Sequence, residues 1–239
     1  MFDPATLGDI IDGHTVRFVR VVKHAPERVW RAITDERELS EWMRYPVKFD
    51  ARVGGHAQFF GDGPERIDGK VFIVDAPRTL AFSFYDAANP IEYAFGQGDW
   101  HVRWDLAPVD GGCRVTFTHR LLAGAPLWGV SEGWHEFIEQ LEPFLSGELG
   151  SYAAHHARPS AEGEPSGIKQ YRVHVTAALL AFGEEAASAT RDAINAGRTS
   201  DALGALDRVG LALRQLHRIA CQPGERPDFT LESAIPAEL

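Results

Sequence analysis

Trp100-His101-Val102-Arg103-Trp104-Asp105-Leu106 has the pattern of a strand: two tryptophans, a valine and a leucine alternate with His101, Arg103 and Asp105. A period of two puts those sets on opposite faces of a sheet, with the polar set towards solvent. Asp110-Gly111-Gly112 then predicts a hairpin turn into Cys113–Leu121, where Val115, Phe117 and His119 share a face. The same period extends upstream: Leu80, Phe82 and Phe84 alternate with Ala81, Ser83 and Tyr85. Ala57 and Phe59 with Val71 and Ile73 suggest neighbouring strands around Asp62-Gly63-Pro64. Val53-Gly54-Gly55 marks a turn or bulge. Val16, Phe18 and Arg20 alternate with Arg17, Val19 and Val21, which predicts a first strand buried partly on both faces.

Two short helices interrupt this sheet. Pro26 suits a first helical position, where its missing N–H costs nothing, and Val29, Trp30 and Ile33 give the helix an apolar side. Asp35 with Glu38 predicts a capping box for a second helix carrying Leu39, Trp42 and Met43. After residue 122 the period becomes helical. Trp134, Phe137, Ile138, Leu141 and Leu145 form one stripe. Pro143 lies within it, so a kink near Leu141 or a new helix starting at Pro143 is expected. Strands, two small helices and a long closing helix make an α+β layout with a helix against an antiparallel sheet.

Short motifs follow one another in a fixed order: Ala25-Pro26-Glu27-Arg28-Val29-Trp30-Arg31-Ala32-Ile33-Thr34-Asp35, Trp42, Val53-Gly54-Gly55, Gly69-Lys70-Val71, Asp110-Gly111-Gly112 with Val115 to His119, and Gly133-Trp134. In this order the chain resembles the SRPBCC (START-like) superfamily, and within it the activator-of-heat-shock-protein-90-ATPase-like family, over roughly residues 14–152. The resemblance implies a helix-grip fold, a curved antiparallel sheet wrapped around the long closing helix, with a cavity between them. Trp42, Phe59, Phe82, Phe84, Trp100, Trp104, Phe117, His119, Trp134 and Phe137 are the candidate lining of that cavity. Tryptophan and phenylalanine supply large apolar contact area, and the same residues are what any buried strand needs. His119 is the pointed polar member, placed to orient a ligand or to act as acid or base near neutral pH.

The implied function is binding of a small apolar or amphipathic ligand, with no cofactor. The resemblance also admits a polyketide cyclase or aromatase using the same cavity, in which His119, Tyr85 or Arg120 would face it. A protein-interaction or co-chaperone-like role is the third reading. Co-chaperones of that name carry an additional N-terminal domain, and only residues 1–13 precede the first strand here.

Spacing reveals no catalytic constellation. No Gly-rich phosphate loop follows a strand, and no Gly-x-Ser-x-Gly elbow is present. His155 and His156 are adjacent, so they do not share a helix face, and no full set of metal ligands stands out. Glu132, Glu136 and Glu139 read as a solvated helix face. Asp86–Asp99, with Tyr93 and Phe95, is either a lid or an ordinary exposed loop.

Composition bounds these readings. All six tryptophans lie in the first 134 residues, so one ordinary domain plus an appendage is expected. A domain of about 150 residues buries roughly 70% of its unfolded surface, enough for a core without staples. The boundaries read as residues 1–156 for the helix-grip domain, 157–168 for a linker, 169–222 for a helical hairpin and 223–239 for an irregular tail. The second hairpin helix has Leu203, Leu206, Val209, Leu213, Leu216 and Ala220 on a stripe too apolar to face water alone. It must pack on the first domain, on a second copy as a homodimer, or on a partner. A formal net charge of -10 argues against nucleic acid and anionic membrane surfaces. Two cysteines, no leader-like segment and no bilayer-length apolar run make the cytoplasm the default.

Overall fold

A computed structural model of the chain describes residues 8–60, 66–84, 101–121, 127–149 and 166–220. Eight strands form one curved sheet: β1 (Asp9–Ile10), β2 (Thr15–Val22), β3 (Val47–Phe49), β4 (His56–Phe60), β5 (Arg66–Asp75), β6 (Thr79–Ser83), β7 (His101–Val109) and β8 (Gly112–Arg120). Their order is β1-β2-β8-β7-β6-β5-β4-β3, each neighbouring pair antiparallel. The chain forms two compact units, Met1–Val175 and Thr176–Leu239. The first is the expected α+β helix-grip domain.

The hairpin expected from Asp110-Gly111-Gly112 is tight. β7 ends at Val109 and β8 starts at Gly112, with Val109 opposite Gly112 and Gly111 at φ 75. A positive φ strains any residue with a Cβ, so glycine is required there. The first strand departs from expectation. Val16, Phe18 and Val22 are buried, but Val19 and Val21 are exposed, so β2 is buried on one face only. An antiparallel sheet covered by helices on a single side leaves its other face to solvent, and β-branched residues sit on either face without penalty.

Helix α1 (Pro26–Thr34) begins on Pro26 and α2 (Glu36–Met43) follows directly. Asp35 caps α2 by accepting from the Glu38 N–H at 2.9 Å. The reciprocal half of the capping box is replaced: the Glu38 carboxylate pairs with Arg28 at 2.7 Å and Arg31 at 2.6 Å, and the Asp35 N–H donates to Arg31 O. Two guanidinium groups outbid one backbone amide for a nearly buried carboxylate.

The closing helix α3 runs unbroken from Leu127 to Leu145, starting about two turns earlier than its apolar stripe suggested. No new helix starts at Pro143. That residue lies in the final turn, where little helix remains to be disrupted, and its carbonyl accepts from Glu148 and Leu149 N–H at 2.8 and 3.0 Å. Arg20 on β2 donates to Glu139 at 2.7 Å, and Arg44 after α2 donates to Gln140 at 3.0 Å. These bonds, with Phe18 against His135 at 6.2 Å, set α3 along β2 in the same direction.

In the second unit, α4 (Ser166–Asn195, whose first turns belong to the first unit) and α5 (Thr199–Ala220) are joined by a short turn with Gly197 at φ 70. Their buried residues include Leu179, Ala186, Thr190 and Ala193 on α4 and Ala202, Ala205 and Ala212 on α5. A Cβ on Gly183 would lie 3.3 Å from the Ala212 Cβ, so these helices meet through small side chains. The leucine stripe does not form this seam: Leu203, Leu206 and Leu213 are 59%, 50% and 61% exposed. Alanine and glycine allow closer helix approach than leucine, and the seam follows the small residues. The linker at 157–165, the irregular tail at 223–239 and the connection Asp86–Asp99 lie outside the described residues.

Candidate functional site

The strand pairing that puts β8 between β2 and β7 also aligns the aromatic residues. Trp104 on β7 faces Phe117 on β8, and Val102 faces His119. Because residues two apart share a face, Trp104, Phe117 and His119 all point to the side that α3 covers. Trp134 on α3 meets them there. Its ring lies 4.3 Å from Phe117 and 5.9 Å from His119, and Trp104 lies 4.6 Å from Phe117. Trp42 meets Trp104 edge-on at 6.2 Å, and its indole N–H donates to Ala32 O at 2.8 Å.

A second group of rings continues from this one. Phe84 lies 5.2 Å from Trp134, 5.4 Å from His119 and 5.2 Å from Phe59, which stacks on Phe82 at 5.9 Å. Phe137 meets Trp134 at 5.8 Å. Nine of the ten residues singled out from the sequence thus form one continuous cluster, and Trp100 lies outside the described residues. Burial divides it. Trp42, Trp104, Phe117 and Trp134 are buried, whereas Phe84 and Phe137 are half-buried. Phe59 and Phe82 are buried too, so the cluster comes towards the surface at the two half-buried rings, each packed on Trp134.

His119 sits at the junction and is 0% exposed. The Trp134 indole N–H donates to its Nδ1 at 2.7 Å. An indole nitrogen only donates, so Nδ1 is the acceptor and the neutral ring carries its proton on Nε2. Burial, with a smaller contribution from the charge of His101, pushes the His119 pKa down to about 3. The ring is therefore neutral near pH 7, which weighs against its acting as an acid there. His101 and Arg103, expected to be solvated, are half-buried on the outer face. His101 packs edge-on to Phe72 at 5.9 Å, and Arg103 is held by Asp105 at 2.7 Å.

Three contributors escaped the sequence reading. Phe49 packs on Phe82 at 5.4 Å, and Tyr45 packs on Phe137 at 5.3 Å. Both lie near the short strand β3, which has too few residues to show a period. Ser131 extends the buried stripe of α3, lying between Leu127 and Trp134, and is fully buried. The 4-3-4 spacing Leu127, Ser131, Trp134, Ile138 is the signal that could have found it. Among the described residues no three His, Cys, Asp or Glu side chains are grouped to hold a metal ion. No described helix is long and apolar enough to cross a membrane.

A family model described as Activator of Hsp90 ATPase homolog 1-like protein matches residues 23–146, just over half of the chain. Among solved structures, a solution structure of a protein from Arthrobacter aurescens is 23% identical and aligns with a TM-score of 0.51, covering 65% of this chain and 99% of that one. A crystal structure of a protein from Mesorhizobium loti is 24% identical with a TM-score of 0.48, covering 57% of this chain and 99% of that one. The solution structure of the Aha1 dimer from Colwellia psychrerythraea is 22% identical with a TM-score of 0.49, covering 57% and 98%. No curated protein matches the sequence. The first of these structures supports the fold alone.

Proposed function

The chain belongs to the Activator of Hsp90 ATPase homolog 1-like family, and on that premise we propose that its first unit binds a small, largely apolar molecule between the sheet and α3. The family and fold support a ligand-binding domain in general. The observation that carries the reading is the division of the aromatic cluster: packed at Trp104 and Phe117, half-buried at Phe84 and Phe137, with His119 hydrogen-bonded where the two meet. A core that served stability alone would gain by closing over those two phenylalanines, by a fraction of the roughly 1.5–3 kcal/mol that full burial of an exposed ring contributes. Aromatic walls leading from the surface to a buried polar group are the usual build of a small-molecule site. The test is calorimetric titration with 1-methylnaphthalene. Saturable uptake at one site per chain, weakened by Phe84→Ala with the fold retained, is the expected result. Absence of saturable uptake would remove the reading.

A second reading concerns the hairpin and rests on its exposed leucines. We infer that α5 pairs with α5 of a second copy of this chain, antiparallel, around a two-fold axis near Gly210. Leu203, Leu206, Gly210, Leu213 and His217 follow 3-4-3-4 spacing on the side away from the alanine seam, which is the spacing of a coiled-coil contact. Asp207 and Arg214 flank it on one side, both exposed. Antiparallel pairing sets Asp207 of each copy beside Arg214 of the other, so the charges complement one another in self-association. Sedimentation equilibrium of the full chain should give a dimer, and Leu206→Gln a monomer. A monomeric wild type at tens of micromolar would overturn this reading.

A further inference from the structure

We infer that the Ser131 hydroxyl is the polar anchor of the proposed ligand site, and that the molecule it takes is uncharged, aromatic or aliphatic, and carries a hydroxyl or carbonyl oxygen at its buried end. This deepens the ligand-binding reading and depends on it.

Ser131 Oγ is fully buried and makes no hydrogen bond. A buried hydroxyl without a partner costs about 1–3 kcal/mol, so native proteins satisfy nearly all of them, and an exception needs a cause. A serine within a helix normally removes the problem by donating to the carbonyl four residues back. Ser40, for example, donates to Glu36 O at 2.8 Å, and Thr190 to Ala186 O at 2.9 Å. Ser131 does not.

Its position can be fixed from the strand beneath it. Phe18 meets His135, and Arg20 meets Glu139, so two residues along β2 correspond to about one turn of α3. One turn further towards the start of α3, Ser131 comes level with Val16. Val16 is paired with His119 across the β2–β8 ladder. Ser131 also shares a helix face with Trp134, whose indole holds His119. The serine therefore sits over the same end of the sheet as the imidazole, which packs edge-on to Phe84.

The chemistry follows from what surrounds the hydroxyl. The described cluster is built from tryptophan, phenylalanine, serine and a histidine that is neutral at physiological pH, so it holds no charge to balance an ionised ligand. A hydroxyl donates and accepts, so it serves a ligand alcohol, phenol or ketone. Such a site rejects an analogue that lacks the oxygen, because the serine then stays unpaired.

The experiment compares 1-naphthol with 1-methylnaphthalene, alike in shape and differing in the hydroxyl, titrated into the full-length wild type and into Ser131→Ala. The wild type should prefer 1-naphthol by about tenfold. Ser131→Ala should lose that preference, keep its affinity for 1-methylnaphthalene, and melt no lower than the wild type. Wild type binding both probes equally, or Ser131→Ala keeping the preference, would overturn the anchor while leaving the apolar site standing. Neither probe binding the wild type would remove both. Should Ser131→Ala fail to fold, Ser131→Cys, with a thiol of similar size and weaker hydrogen bonding, should show a reduced preference.

Discussion

The two units of this chain treat their largest apolar side chains in opposite ways. In the first, Trp42, Trp104, Phe117 and Trp134 are buried against one another, and the polar groups among them are few and specific. In the second, Leu179 and Leu211 are buried but most of the buried apolar residues are alanine, while Leu203, Leu206 and Leu213 face outward. An alanine methyl buries little area, so at about 25 cal/mol per Å² the hairpin gains far less per residue than the aromatic core does. On the two readings proposed above, the contrast teaches where each unit would bind. The helix-grip unit would bind inside, at the half-buried rings, with a buried polar group. The hairpin would bind outside, through a leucine stripe.

The contrast is broken most directly by truncating one large side chain in each unit. Trp134→Ala removes a ring that touches Phe117, Phe84 and Phe137 and the donor that His119 Nδ1 accepts from. Loss of about 3–5 kcal/mol is expected, from the cavity and the orphaned imidazole together. Urea unfolding followed by far-ultraviolet circular dichroism measures it. A loss below about 1 kcal/mol would mean that α3 is not held to the sheet by this ring, and the inside of the first unit would be no different in kind from the hairpin.

Much of this arrangement could be read from the residues, and the failures share a cause. Asp110-Gly111 between two alternating runs has one good solution, a two-residue hairpin, and the alternation then forces Trp104, Phe117 and His119 to one face. Trp134 at the head of an apolar stripe finds its partners for the same reason. Periodicity tells which residues share a side, but not what lies opposite. Val19 and Val21 share a side that is left exposed. Leu203, Leu206 and Leu213 share a side too, and the helix turned its alanines inward because small residues bring two backbones closer. Ser131 was missed because a small polar residue within an apolar stripe looks like a gap. Only its burial and lack of a partner make it visible.

Acid should separate the units by a different route. The unperturbed histidine pKa is near 6.5, and His119 is held near 3 because burial disfavours its charged form. Between those values the unfolded chain binds a proton that the folded one refuses, so stability is full above pH 6.5 and falls as pH drops through 6.5 towards 3. The slope from this one group is about 1.4 kcal/mol per pH unit. His119→Gln keeps an acceptor for the Trp134 indole and cannot titrate. Its unfolding free energy, measured from pH 7 to 5, should therefore fall less steeply than that of the wild type, by about one proton's worth. The other histidines act alike in both proteins, so the difference isolates His119. Equal slopes would mean that the folded domain admits the proton, and with it water, at the buried end of the cluster.

The smallest effect is the most diagnostic of what lies outside. Leu206→Gln swaps one good helix former for another at a position half open to solvent, so the folding free energy of the monomer should change by no more than about 0.5 kcal/mol. In the dimer the same side chain is an anchor, and mass action links association to stability. The wild-type melting temperature of the hairpin should accordingly rise with protein concentration, while that of Leu206→Gln should not, and the two curves should converge on dilution. Convergence would place the whole contribution of Leu206 in the contact between copies. A deficit in the variant that persists at the lowest concentration would instead place Leu206 in the fold of its own chain, and the opposition between an inward-facing and an outward-facing unit would no longer hold.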